Sequence, residues 1–194
     1  HINIRIVEDK DLVVNARFEY ALTHNEKEHV IRYNPDKEYI DHLFVHEMMH
    51  LKMQQQATLN HKGKAVVFNQ ACQRAFDKKF RGFMQRRHKE LPPNKLNDTL
   101  KFMCEGIGTQ LSSCPLDLFV EHMMHSDYPI MRPIQMLSLF HMEEVNIDAI
   151  RKGEQGGIFP NEIVRASKVM NIATSLHFKE LYGFNLINQY KPTK

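Results

Sequence analysis

Along the first residues apolar and polar positions alternate: Ile2, Ile4 and Ile6 are separated by polar neighbours, a period of two that predicts a half-buried strand over His1 to Val7. His29-Val30-Ile31-Arg32-Tyr33 predicts a second short strand. Asn34-Pro35 closes it, because proline disfavours helix at the residue before it and suits a first helical position itself. A helix is therefore expected from about Pro35 through Tyr39, Leu43, His46 and His50 to about Gln56. Lys62-Gly63-Lys64 interrupts the pattern, and from Ala65 to about His88 the apolar residues Phe68, Cys72, Phe76, Phe80 and Phe83 recur every three or four positions, an amphipathic helix. Leu91-Pro92-Pro93-Asn94 is a breaker, followed by a helix from about Asn97 to Glu105 that Gly106-Ile107-Gly108 should stop. Further helices are expected from Pro115 to His125, from Pro133 to about Arg151 and from Asn161 to about Tyr182, the last ended by Gly183. The fold class read from this pattern is α+β and mainly helical, a short N-terminal sheet packed on the first helix. It is expected to be one domain over residues 1–194, with 1–60 supplying strands and the first helix and 61–194 a helical part.

That first helix carries Val45-His46-Glu47-Met48-Met49-His50-Leu51. On a helix His46 and His50 are one turn apart and share a face, so two imidazole nitrogens can converge on one Zn²⁺ while Glu47 reaches a water on it. Val45, Met48, Met49 and Leu51 are apolar and would carry the segment through an interior, where a chance match on a surface helix would have charges. The run resembles the active-site helix of the zincin metallopeptidases. What the resemblance implies is a zincin-like fold, one zinc ion per chain held by His46 and His50 with water in an open position, and Glu47 as general base. Zinc lowers the pKa of a bound water from 15.7 to about 7, and an adjacent carboxylate can take the proton as a carbonyl is attacked. In that family an edge strand pairs with the extended substrate, so the segment from Val30 to Tyr33 would be available for strand augmentation; a core strand is the other reading.

Two histidines leave a third protein ligand to be found. Met53 and Gln56 stand where the longer metzincin motif has Gly and His, and no Glu occurs between Leu51 and Lys89. Of Glu90, Glu105, Glu121, Glu143 and Glu144, Glu121 is the choice, because Asp117, Glu121 and His125 recur every four residues as one polar stripe on an apolar segment. Ionisable groups in such surroundings need partners, which a cation and its supporting hydrogen bonds supply. Asp117 would then orient a metal-bound histidine. Glu144 is the rival, on the stripe Leu137, Phe140, Glu144 and Ile147, and Glu105 comes third. His125, Tyr128 and His141 are the available donors to an oxyanion.

Composition narrows the partners. Hydrophobic residues at 42% and charged residues at 25% describe an ordinary globular chain, and no apolar run is long enough for a membrane span. A cytoplasmic location is expected, and His at position 1 points to a fragment or processed form. Cys72, Cys104 and Cys114 are too few and too scattered for a disulfide framework and read as reduced and mostly core. From Arg74 to Lys95 basic residues far outnumber Asp77 and Glu90, which reads as a solvated helix face before a nucleic-acid patch. The expected function is a zinc metallopeptidase, a hydrolase acting on a peptide or protein substrate. The competing expectation is a non-catalytic, zincin-like binding or regulatory domain whose basic helix engages nucleic acid or a protein partner. Both share the metal and differ at Glu47.

Overall fold

The structure, a computed structural model, describes residues 3–12, 16–19, 21, 28–60 and 69–191. Among the described residues the main elements are three strands, β1 (Ile4–Glu8), β2 (Ala16–Glu19) and β3 (His29–Tyr33), and, after them, five helices: α1 (Ile40–Leu59), α2 (Gln70–Arg87), α3 (Pro93–Asp127), α4 (Arg132–Gly156) and α5 (Asn161–Tyr182). Short 3₁₀ turns lie at Pro129–Met131 and Ile187–Tyr190. The fold is mainly helical with a small N-terminal sheet, as the pattern predicts. No helix among the described residues is long and apolar enough to cross a membrane.

The chain divides into two compact units, one formed by residues 1–64 and 119–141, the other by 65–118 and 142–194. In the first, the sheet has the order β1-β3-β2. β1 runs parallel to β3 with Ile6 opposite Ile31, and β2 runs antiparallel with Phe18 opposite the same residue. β3 is thus the central strand, hydrogen-bonded on both edges, so Val30 to Tyr33 is a core strand and not an edge for a peptide to join. β2 is the strand that the hydrophobic pattern did not disclose. The isoleucine face of β1 is also not half-buried: Ile4 and Ile6 are exposed, because α1 packs on β2 and β3 and β1 lies at the sheet's edge.

Helix α1 starts five residues later than expected. Asn34 is buried; its amide donates to the Lys10 and Leu12 carbonyls, and its side-chain oxygen accepts the Asp36 N–H at 3.0 Å. This side-chain turn competes with a first helical turn, and Tyr39, at φ 60, is the left-handed residue through which the chain enters the helix. Three stripes then run along α1. Phe44, Met48 and Leu51 pack with Phe18 and Ile31 of the sheet; Val45, Met49 and Met53 pack with Val120, Met123 and Met124 of α3. Each fully buried side chain of this size contributes roughly 1.5–3 kcal/mol. The third stripe is His42, His46 and His50.

The breakers at Gly106, Gly108 and Pro115 do not divide the chain: α3 is one helix with Pro115 inside it. Its apolar residues explain the continuity. Leu96, Leu100 and Met103 are buried in the second unit with Phe80 and Met84 of α2, and Val120 and Met124 are fully buried in the first. Burial on both sides outweighs the roughly 3 kcal/mol that an interior proline costs. In α2 the amphipathic pattern holds for Phe76, Phe80 and Phe83, whereas Cys72 is exposed and Phe68 lies outside the described residues. Cys104 and Cys114 are buried thiols. The second unit has another polar centre at Glu143, buried and accepting from Thr174 Oγ1 at 2.6 Å, from Ser175 and from the Tyr190 hydroxyl at 3.1 Å. Gly183, at φ 79, ends α5 as expected.

Candidate metal centre

Positions 42, 46 and 50 are spaced by one helical turn, so the three histidines stand in line along α1 between its sheet-facing and α3-facing stripes. Facing them is Glu121, in the last two turns of α3, with only 5% of its surface exposed. Its carboxylate is fully engaged. His46 Nδ1 lies 2.7 Å from Oε1, and His42 Nε2 lies 3.0 Å from Oε2. Gln135, fully buried on the first turn of α4, donates its amide to Oε2 at 2.6 Å and to the Glu121 backbone carbonyl at 2.8 Å. The tight turn at Tyr128, with Arg132 Nε donating to the His125 carbonyl at 2.8 Å, folds α4 back so that Gln135 reaches it. On the other side of the His46 ring, its Nε2 is 3.0 Å from His50 Nε2.

Burial pushes the Glu121 carboxyl upward, but the hydrogen bonds and charge of His42 and His46 outweigh it and hold the group well below the usual carboxylate range. An ionised carboxylate only accepts, so His46 Nδ1 and His42 Nε2 carry the protons. The lone pair of His46 is then on Nε2, turned to His50. Two nitrogens bound tetrahedrally to one zinc at 2.0–2.1 Å would be about 3.4 Å apart, against a hydrogen-bond separation of 3.0 Å between the two Nε2 atoms. His42, His46 and Glu121 also bring their donor atoms within 4.8 Å of one another. The unit therefore holds His and Glu groups placed so that they could bind a metal ion.

Of the three residues expected as ligands, His46 meets both others but on different nitrogens, Glu121 at Nδ1 and His50 at Nε2, so the three do not converge on one point. Glu47 is half-buried on α1 between the two histidines. Comparison with protein families, curated proteins and solved structures finds no match to the chain. The site thus has to be read from its own chemistry. Asp117 is half-buried one turn before Glu121 on the same helix and belongs to the second unit. The rival carboxylates are not buried: Glu144 is exposed, the inward position beside it being Glu143, and Glu105 is exposed with Lys101 3.8 Å away. The apolar stripe that suggested Glu144 fails at Leu137, which is 48% exposed. Of the oxyanion candidates, His125 is half-buried, Tyr128 is exposed, and His141 is exposed with its ring 5.8 Å from that of Tyr39. Two residues of the centre were not anticipated. His42 had a signal, one turn ahead of His46; Gln135 had none.

Proposed function

We propose that the first unit is the site of a zinc-dependent peptidase, in which His46 and His50 hold the ion through their Nε2 atoms and Glu121 supports His46 from behind. The observation that carries this reading is the buried charge of Glu121. Among the described residues its partners are His42, His46 and Gln135, with no Lys or Arg, so no permanent cation stands beside this buried carboxylate. A divalent ion across the His46 ring supplies one and completes the carboxylate–histidine–metal arrangement that sets ligand orientation in zinc sites. Imidazole nitrogens suit zinc, and a catalytic site takes a third protein ligand besides His46 and His50.

When bound, zinc supplies Lewis acidity and lowers the pKa of water in its open position. Glu47 follows His46 directly on α1 and is half-buried, so its carboxylate would take the proton from the attacking water and return it to the leaving amine of the peptide. Proton transfer of this kind contributes about 10²–10⁴-fold.

The test has two steps. Metal analysis of the native protein and of His46→Ala should show stoichiometric zinc in the first and its loss in the second, with Asp117→Asn and Glu121→Gln deciding which carboxylate the ion depends on. At matched zinc occupancy, Glu47→Gln should keep the fold and lose turnover of a peptide library by about 10²–10⁴-fold. Equal turnover removes Glu47 as the base. Zinc with no turnover by the native protein favours the non-catalytic binding domain.

A further inference from the structure

We infer that His42 and Gln135 form a cradle that positions the metal ligand His46, acting through Glu121. This rests on the zinc reading of His46 and His50 and extends it to two residues that do not touch the ion.

Both members of the cradle are fully buried, at 0% exposure each. Gln135 donates one amide nitrogen to both the side chain and the backbone carbonyl of Glu121, which fixes the carboxylate relative to its own helix. His42 donates Nε2–H to Oε2, leaving Oε1 for His46. The other nitrogen of His42, Nδ1, is buried and meets no hydrogen-bond partner among the described residues. A proton there would be an unsatisfied buried donor, which is rarer and more costly than a bare acceptor, so the geometry favours the proton on Nε2, directed at Glu121. The result is a directed chain. Two donors, His42 and Gln135, meet Oε2, the remaining oxygen accepts, among the described residues, only from His46 Nδ1–H, and the His46 lone pair is left on Nε2, on the side where His50 lies.

His42 itself is not placed as a ligand of the same ion. Its ring centroid is 6.1 Å from that of His46, against 4.8 Å between His46 and His50, and its Nε2 is spent on the carboxylate. Its role follows from tautomer control: supporting groups that orient a metal-bound histidine typically contribute 10–100-fold in metal affinity.

The test compares zinc dissociation constants, by chelator competition, for the native protein, His42→Leu, His42→Gln and Gln135→Leu. Alongside, imidazole nitrogen spectra of the metal-free native protein at mildly alkaline pH read the tautomers of His42 and His46. His42→Leu and Gln135→Leu should each weaken zinc by about 10–100-fold, and His42→Gln, whose amide can donate in place of Nε2, should recover most of the loss. The native spectra should show His46 protonated at Nδ1 and His42 at Nε2. Unchanged zinc affinity in His42→Leu, equal losses in His42→Leu and His42→Gln, or His46 protonated at Nε2 would each overturn the cradle. The spectra decide the matter even if the leucine variants do not fold. A native protein that takes up no zinc overturns instead the metal reading on which the cradle rests.

Discussion

At the scale of single residues, what separates the histidines of this chain is what each nitrogen meets. His29 is buried in β3, its Nδ1 accepts the Ala21 N–H at 3.2 Å, and its ring lies 5.3 Å from that of Phe18. Burial lowers its pKa from the ordinary value. The folded state thus takes up a proton less readily than the unfolded chain, whose histidines titrate near pH 6.5. Its contribution to stability is therefore present above about pH 6.5 and is lost as the pH falls below it. Urea midpoints measured across that range should drop more steeply for the native protein than for His29→Asn, which keeps an acceptor but cannot titrate. Parallel curves would rule out His29 as a source of acid sensitivity. By contrast, the motif histidines could be singled out from spacing alone, since helical geometry puts positions four apart on one face whatever the tertiary fold.

At the scale of elements, α3 shows where local signals lose to packing. Gly106, Gly108 and Pro115 are sound reasons to expect two helices, yet a single helix runs through all three because its apolar stripe is buried on both sides of them. Neither glycine adopts a positive φ, and Pro115 is exposed, so the missing N–H is the main local penalty. The Pro115→Ala variant should therefore be more stable, by on the order of 1–3 kcal/mol given the intrinsic difference between the two residues in a helix interior. A urea midpoint that does not rise would mean that the proline is accommodated without strain. The start of α1 is the opposite case. There a local device, the Asn34 side-chain turn, prevailed over the proline signal, and its carbonyl partners at Lys10 and Leu12 are distant in sequence.

For the whole molecule, the centre belongs to one unit, assembled from residues 1–64 and 119–141. Zinc that binds only the folded site should stabilise that unit by about 2.7 kcal/mol at a hundredfold excess over its dissociation constant. Hydrogen exchange should show the gain in protection concentrated in α1 and residues 119–141, and a gain confined to the second unit would contradict the placement of the site. The mainly helical α+β class and the helix face shared by His46 and His50 were legible from periodicity and spacing, and the polar stripe singled out Glu121, though as a ligand and not as the partner of His46 Nδ1. These depend on helix geometry and on the cost of burying a charge, both of which act locally or residue by residue. β2, the central position of β3, the exposure of Glu144, and the partnership of His42 and Gln135 with Glu121 were decided by the tertiary structure. Strand order and side-chain pairing depend on which distant segments meet: the sequence separation of 79 from His42 to Glu121 is bridged by packing of α1 on α3, and no spacing rule in a linear sequence carries that contact.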